Sequence, residues 1–231
     1  MIDWHSHVLP AMDDGSRDVA ESIAMMEMLA SQGVDRVVAT PHFYANDESV
    51  ESFLGRRRRS YDELRSQLPD TAPALLLGAE ARYYQGISRL AELKALRIEG
   101  SRLLLLEMPM CRWTESMLRE LEELAGKGGM HVVLAHIDRY WGVQPRHVWE
   151  RLAASGILMQ INAGFLTAFA TKRKALALLR EGRVQFLGSD SHNTTSRSPH
   201  IGKAFDIVRK KLGDEYLLLI NEYGASLLDT Q

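Results

Sequence analysis

Short apolar runs that alternate with helical segments constrain the fold of this chain more than any other feature of its sequence. Seven such runs occur, and each is followed by a segment in which apolar residues recur with helical spacing. The runs are Met1–His7, Val34–Pro41, Ala74–Glu80, Arg102–Met108, Met130–His136, Ile157–Asn162 and Val184–Asp190. This alternation is typical of βα units, and parallel strands this apolar are covered on both faces. In a chain of 231 residues the pattern predicts one α/β barrel with an outer ring of helices.

The segments between the runs indicate where the helices lie. Ser16 precedes an apolar stripe from Ala20 to Ala30, Thr114 precedes a second stripe, and Ala175 to Leu179 mark a third. No Pro/Ser-rich linker and no low-complexity tract interrupts the rhythm. We therefore predict a single domain over residues 1–231.

Composition and charge narrow the functional classes. Hydrophobic residues make up 45% of the chain and charged residues 25%, a balance typical of globular proteins that do not insert into membranes. The formal net charge of -2 argues against a nucleic-acid partner, because such partners are held by many Lys and Arg. The sequence opens without a basic and apolar leader, and its one cysteine, Cys111, cannot form an internal disulfide. These features predict a cytoplasmic protein, and they leave the oligomeric state open.

Histidine and acidic residues fall at the C-terminal ends of the predicted strands. Loops at that end of a βα barrel converge on the active site, so residues that are distant in sequence become neighbours there. With one aspartate from the first βα loop, the candidates are His5, His7, Asp14, His42, Glu80, Glu107, His136, Asp190 and His192. Five histidines and four carboxylates exceed what one six-coordinate metal uses, so this set predicts a multinuclear metal site.

The types of ligand and their spacing support the metal hypothesis. Residues two apart on a strand share a face, which applies to His5 with His7 and, further on, to the Asp190 and His192 pair. Imidazole with carboxylate suits Zn, Mn or Fe, and paired metals are the usual apparatus for displacement at phosphorus. A single histidine in a half-buried strand is more often a hydrogen-bonded core residue. We keep that structural interpretation for the histidines outside the set, which are His131, His147 and His200.

A series of short motifs, taken in order, is similar to those of one known family. The motifs are Asp3-Trp4-His5-Ser6-His7, Leu9-Pro10, Asp13-Asp14-Gly15, Ala39-Thr40-Pro41-His42, Gly78-Ala79-Glu80, Glu107, Ala135-His136 and Gly188-Ser189-Asp190-Ser191-His192. Together they resemble the bacterial capsule and exopolysaccharide tyrosine phosphatases, the CpsB/CapC/YwqE family of the polymerase-and-histidinol-phosphatase (PHP) superfamily. The resemblance covers essentially the whole chain.

This resemblance implies a fold, an activity and a set of site residues. The fold is a distorted (βα)7 TIM-like barrel of the PHP type, and the activity is that of a metal-dependent protein-tyrosine phosphatase. The nine candidates would hold three divalent metal ions, usually manganese, with iron, zinc, cobalt and magnesium as alternatives. Arg139 and Arg197 would hold the substrate phosphate, whose oxygens match a guanidinium fork. The implied partner is a phosphotyrosine protein, the tyrosine-rich tail of a bacterial kinase that controls polysaccharide export.

Two segments depart from the family pattern. Ile137-Asp138 stands where the family often has Pro-Glu before the arginine, although Arg139 itself is retained. The segment after Tyr44, which includes Asn46-Asp47-Glu48, matches no family motif. The substrate-facing loop is therefore where this chain should differ from its relatives.

A run of four arginines, Arg56 to Arg59, is the most conspicuous charged feature. We predict that it lies on a helix whose packed stripe includes Phe53 and Leu64. Consecutive residues point around a helix, so the four do not form one patch, and we expect a solvated face with the stem of Arg57 along the stripe. Docking to acidic partner segments is the alternative interpretation.

The lone cysteine does not form the nucleophile loop of thiol-based tyrosine phosphatases. In those enzymes five residues separate the cysteine from an arginine, whereas Met117 stands at that position after Cys111. We therefore expect Cys111 to be a packing or loop residue.

The expected reaction is hydrolysis of phosphotyrosine by a metal-activated hydroxide, without a covalent enzyme intermediate. A phenolate leaving group, whose conjugate acid has a pKa of about 10, needs little protonation. Two alternatives stay open, a small-molecule phosphatase such as a histidinol-phosphate phosphatase and a metal-binding regulatory module without catalysis. The complete ligand set and both arginines argue against the regulatory module.

Overall fold

The computed structural model describes residues 1–127 and 129–228, and its framework is a curled sheet of parallel strands. The strands are β1 (Ile2–Ser6), β2 (Arg36–Ala39), β3 (His42–Phe43), β4 (Ala74–Leu77), β5 (Glu80–Arg82), β6 (Leu103–Glu107), β7 (His131–Leu134), β8 (Leu158–Asn162) and β9 (Phe186–Gly188). They pair in the orders β1-β2-β4 and β3-β5-β6-β7-β8-β9. Every one of the apolar runs thus contains at least one strand.

The two strands β1 and β9 meet just after the end of β9. The backbone N–H of Asp190 donates to the carbonyl of His5 at 2.8 Å, and that of His7 donates to the carbonyl of Ser191 at 2.9 Å. Gly188 permits this approach, because a Cβ atom there would lie 2.5 Å from the Cβ of His5. The sheet curls round on itself in this way, and the prediction of a distorted α/β barrel is confirmed.

A gap separates two of the predicted strands from the short strands that follow them. Pro41 lies in the gap between β2 and β3, and Gly78 lies in the gap between β4 and β5. Proline lacks the backbone N–H that a continuous ladder would need. After the break the sheet resumes with His42 paired to Glu80. The interruption therefore sets two candidate ligands side by side at the start of short strands.

Helices surround the sheet. They are α1 (Val19–Ser31), α2 (Val50–Arg65), α3 (Glu115–Gly126), α4 (Arg146–Ala154), α5 (Ala163–Thr167), α6 (Lys172–Arg180), α7 (Ile201–Leu212) and α8 (Asp214–Ser226), with 3-10 turns at Ile87–Arg89, Ala91–Leu96 and Ile137–Arg139. The predicted cap at Thr114 is confirmed, since its side chain accepts the N–H of Met117. For α1 the cap is Asp18 rather than Ser16, whose hydroxyl bonds Ser22 instead.

A separate apolar cluster fills the inside of the curled sheet. Side chains from strands that are not neighbours in the sheet, such as Trp4, Leu105 and Phe186, belong to it and are buried. The end of α8 closes this cluster, with Ala225 and Leu227 packed against it. Leu105 lies two residues before the candidate ligand Glu107, so the interior changes from apolar to polar towards the C-terminal ends of the strands.

Candidate metal centre

The nine candidate residues come together at the C-terminal ends of the strands, as the barrel predicts. At the centre, the Nε2 atoms of His5 and His7 lie 3.2 Å apart. Glu80 lies against both, with its Oε2 atom 3.2 Å from His5 Nε2 and 3.4 Å from His7 Nε2. These three side chains are almost completely buried. A fully buried carboxylate among imidazoles is a strong candidate for a ligand shared between metals.

Around this centre, side chains form three overlapping groups whose ligand atoms lie within 4.8 Å of one another. The groups are His7 with Asp14, His42 and His192; His5 with His7 and Asp190; and His42 with Glu80 and Glu107. His136 adjoins the third group, with its Nε2 atom 2.7 Å from Glu80 Oε1 and 3.7 Å from Glu107 Oε1. The arrangement therefore offers three neighbouring positions for cations.

Two of the candidate ligands sit on left-handed backbone. His136 has a φ of 32° and Asp190 has a φ of 51°. Residues other than glycine pay for this conformation with strain of about 1–3 kcal/mol, and such residues cluster at functional sites. At each position the left-handed residue lies two residues after the end of a strand, and its side chain is close to other candidates.

A further carboxylate, that of Asp13, orients two of the candidate ligands and is not itself a candidate. Asp13 Oδ2 lies 2.7 Å from the Nδ1 atom of His7 and accepts the backbone N–H of His42 at 2.8 Å. Its Oδ1 atom accepts the N–H of Gly15 at 2.9 Å. With Nδ1 bonded in this way, the Nε2 atom of His7 is left free to bind a metal.

Amides from β8 have the same effect on the other side of the site. The Gln160 side-chain oxygen accepts the backbone N–H of His136 at 2.6 Å and lies 3.3 Å from His5 Nδ1. Asn162 donates to Asp190 Oδ2 at 2.8 Å. Asp13, Gln160 and Asn162 were not predicted as site residues, although Asp13 stands in a motif and Asn162 ends a predicted strand.

Proton affinities within the site differ strongly from one group to the next. Burial raises the pKa of Glu80, but the charge of His5 and hydrogen bonds from neighbouring histidines hold that pKa well below its usual range. Burial lowers the pKa of His7, yet the hydrogen bond and charge of Asp13 raise it to about 10. Burial lowers the pKa of His192 to about 4, and the charge of His7 acts in the same direction. Positive charge is therefore favoured on His7 and disfavoured on His192, and a bound metal would replace the proton of His7.

The residues present fit divalent metals. Buried polar atoms of the candidates, among them Glu107 Oε2 and His192 Nε2, have no hydrogen-bond partner among the described residues. Buried polar atoms without partners are costly, and a bound cation would satisfy them. The donors are imidazole nitrogens and carboxylate oxygens, which suit Mn, Fe or Zn.

Both predicted arginines reach the same site. Arg139 Nη2 lies 2.5 Å from Asp190 Oδ2, and Arg197 Nη2 lies 3.1 Å from Asp190 Oδ1. Arg197 Nη1 also lies 3.3 Å from Asp14 Oδ2. Their side chains keep 35% and 39% of their exposure, so they border solvent on the open side of the candidate ligands. An anion that enters from that side meets both guanidinium groups.

The remaining histidines and the cysteine lie apart from the metal groups formed by the described residues. His131 begins β7, His147 is exposed on α4, and the Nδ1 of His200 contacts the Ser198 carbonyl at 2.7 Å. Cys111 is exposed in the loop after β6. Their structural interpretation agrees with these positions.

A curled parallel α/β barrel that carries imidazole and carboxylate groups with two arginines at its C-terminal rim defines a class, the barrel-fold metallohydrolases. Comparison with known proteins makes the assignment narrower. Residues 1–226 match the family described as capsular polysaccharide synthesis, CpsB/CapC, and the chain belongs to that family.

Individual relatives agree with this assignment. The chain is similar to tyrosine-protein phosphatase YwqE of Bacillus subtilis, with 31% identity over all of this chain and 92% of the relative. It is 29% identical to tyrosine-protein phosphatase CpsB of Streptococcus pneumoniae, over 92% of this chain and 91% of the relative. Among solved structures, one from a study of YwqE and CpsB as metal-dependent tyrosine phosphatases superposes with a TM-score of 0.84 and 26% identity, covering 100% and 96% of the two chains.

A more distant structure shares the fold. Histidinol phosphate phosphatase from Lactococcus lactis superposes with a TM-score of 0.59 at 15% identity, over 90% of this chain and 92% of the other. This likeness supports the PHP-type barrel.

Proposed function

We propose that this chain is a metal-dependent phosphatase that hydrolyses phosphotyrosine in proteins. The observation that carries the proposal is the convergence of three cation-binding groups and two arginines on one rim, in a member of a family whose relatives bear that activity in their names. A histidinol-phosphate phosphatase would share the barrel, but no contact in the structure favours that substrate.

We assign the metal ligands to His5, His7, Asp14, His42, Glu80, Glu107, His136, Asp190 and His192. The three overlapping groups and the unpaired buried atoms support three divalent ions held by these residues. When bound, such ions supply Lewis acidity and a nucleophile at neutral pH. Imidazole nitrogens favour manganese over magnesium, so manganese is our choice.

The arginines hold the phosphate. Arg139 and Arg197 are paired with carboxylates that the metals would take up, so metal binding frees guanidinium N–H groups for the oxygens of the substrate. A phenolate leaving group has little need for a proton donor, because its conjugate acid has a pKa of about 10.

The biological setting completes the proposal. The family description supports a role in capsular polysaccharide synthesis, and we propose the tyrosine-rich tail of a bacterial kinase as the substrate. We further propose that the whole chain acts as one catalytic domain in the cytoplasm. A single cysteine, which cannot form an internal disulfide, agrees with that reducing compartment.

Residues 1–127 and 129–228 contain no helix that combines the length and the apolar character needed to cross a membrane.

The direct test compares substrates on the metal-loaded protein. We expect phosphate release from a phosphotyrosine peptide, little release from histidinol phosphate, loss of activity in EDTA and recovery with Mn²⁺ better than with Mg²⁺. Faster hydrolysis of histidinol phosphate would show a small-molecule phosphatase. No hydrolysis of either ester, with metals bound, would show a binding module and contradict the proposal.

A further inference from the structure

Tyr44 and Arg82 lie at the mouth of the site, which is its solvent-facing opening. Each follows a candidate ligand by two residues. Tyr44 lies two residues after His42, and Arg82 lies two residues after Glu80. Because β3 and β5 pair with His42 opposite Glu80, Tyr44 and Arg82 lie near each other at the ends of neighbouring strands. Arg82 shares a strand face with Glu80, one repeat nearer to solvent.

His42, Tyr44 and Arg82 form a stacked row that leads from the buried site to solvent. The ring of Tyr44 stacks on that of His42 with centroids 5.2 Å apart and planes 25° apart. The Arg82 guanidinium carbon lies 5.6 Å from the centroid of the Tyr44 ring. His42 and Tyr44 are half-buried, and Arg82 is exposed. The outer end of this stacked row is therefore a positively charged guanidinium plane.

Arg82 has different surroundings from the two arginines that contact candidate ligands. Arg139 and Arg197 both pair with candidate metal ligands. No carboxylate among residues 1–127 and 129–228 lies within ion-pair distance of Arg82, and the partner it contacts is a neutral phenol. Arg82 thus keeps its attraction for electron-rich groups of a ligand.

The loop that carries Tyr44 is fixed in place. The Tyr44 carbonyl accepts the N–H groups of Asp47 and Glu48, which closes a turn directly after the strand. Glu48 in turn pairs with Arg56 of α2 at 2.6 Å. The segment that matches no family motif is therefore anchored, and it presents Tyr44 in a set position.

We propose that Tyr44 and Arg82 form the leaving-group wall of the site, which packs against the aryl ring of the substrate and favours aryl over alkyl phosphate monoesters. A guanidinium plane stacks on aromatic faces and its charge is attracted by the ring quadrupole, whereas an alkyl group offers no such face. The inference rests on the proposed phosphatase function and specifies its substrate class. Tyr44 and Arg82 are specificity residues, since neither belongs to the proposed metal or phosphate ligands.

The test compares Arg82→Ala with wild type on phenyl phosphate and on glycerol 2-phosphate, with metal content measured on both proteins. We expect kcat/KM for the aryl ester to fall by about five- to tenfold, mainly through KM, and kcat/KM for the alkyl ester to change by less than about twofold. Tyr44→Ala removes the ring that the Arg82 guanidinium contacts, so it should lower kcat/KM for the aryl ester in the same direction.

The chain offers a matched control on α2. There the Arg58 guanidinium carbon lies 5.2 Å from the centroid of the Tyr61 ring, a similar pair outside the site. Arg58→Ala should leave the ratio of aryl to alkyl hydrolysis unchanged.

Binding of phenylphosphonate and methylphosphonate, measured by calorimetry, separates this inference from the proposed function because it needs no turnover. Arg82→Ala should weaken phenylphosphonate selectively. An unchanged preference for phenylphosphonate and an unchanged ester ratio in Arg82→Ala would overturn the inference while leaving phosphatase activity intact. A wild-type protein that hydrolyses neither ester would instead contradict the proposed function.

Discussion

Two groups of arginines in this molecule carry the same charge and have opposite surroundings. Arg139 and Arg197 contact Asp190, a nearly buried carboxylate at the rim of the barrel. On α2, Arg56 pairs with Glu48 of the loop after β3, and Arg58 pairs with Asp62 of α2 itself. The rim pairs sit where the strands converge, and the α2 pairs lie along a helix on the outside.

The difference teaches that position relative to the strand ends, and not the density of charge, marks the functional site. The α2 run contributes structure, since Arg56 anchors a loop and Arg57 lies over Phe53 while donating to the Gly78 carbonyl at 2.5 Å. The prediction that Arg57 follows the packed stripe is confirmed, since its guanidinium carbon lies 5.5 Å from the centroid of the Phe53 ring. Mutations of the two groups should therefore separate activity from stability.

The largest effect should come from the central carboxylate of the rim. Outer partners of metal ligands are worth about 10- to 100-fold, so loss of a shared ligand in Glu80→Gln should lower kcat/KM by more than about 100-fold. Asp62→Asn, which removes the partner of Arg58 on α2, should keep wild-type kcat/KM on a phosphotyrosine peptide. Equal losses in the two variants would break the comparison.

Exchange of an arginine for lysine should come next. Arg139→Lys keeps the charge but loses the planar fork, and a charge-assisted hydrogen bond of about 1.5–3 kcal/mol corresponds to a loss of about 10- to 100-fold in kcat/KM. The metals should stay bound, as elemental analysis would check. Arg58→Lys is the control on α2. Wild-type kcat/KM in Arg139→Ala with full metal content would leave phosphate binding to Arg197 and the metals.

The carboxylate behind His7 should affect metal binding before it affects chemistry. Asp13→Asn removes the charge that orients the imidazole, and we expect metal affinity to fall by about 10- to 100-fold. Titration of the metal-free protein with Mn²⁺ measures this directly. Activity at saturating Mn²⁺ should recover in large part, and wild-type affinity would show that Asp13 serves the loop alone.

The smallest effect should appear on α2 as stability without activity. Arg57→Met removes the bond to the Gly78 carbonyl and should lower the free energy of unfolding by about 1 kcal/mol. Arg58→Met, at an exposed position, should stay within about 0.5 kcal/mol of wild type. Urea unfolding of the metal-free proteins compares the two, and a larger loss for Arg58→Met would reverse their assigned roles.

Much of this arrangement could be predicted from the sequence because apolar strands and their polar ends are local patterns. The alternation of apolar runs and helical segments predicted the barrel. The barrel places residues as distant in sequence as His5 and Asp190 close together. The breaks at Pro41 and Gly78 were missed, since an apolar run looks the same whether or not its ladder is interrupted. The left-handed backbone of His136 depends on contacts across the barrel, which no local pattern contains.

The supporting residues were harder to recognise for a related reason. Gln160 looks like an ordinary strand residue until the register of β8 sets its side chain against His5 and His136. Tyr44 and Arg82 are 38 positions apart in the chain and meet only because β3 pairs with β5. Long-range hydrogen bonds of this kind follow from tertiary structure.

The central claim, that the rim holds a multinuclear metal site which drives hydrolysis of phosphotyrosine, is tested most directly by counting metals while activity is restored. Metal-free protein would be titrated with Mn²⁺, with bound metal and phosphate release from a phosphotyrosine peptide measured at each step. The three groups of ligands lead us to expect activity that rises with bound Mn²⁺ and levels off at three ions per chain. Full activity with no bound metal, or saturation at a single ion, would contradict the account.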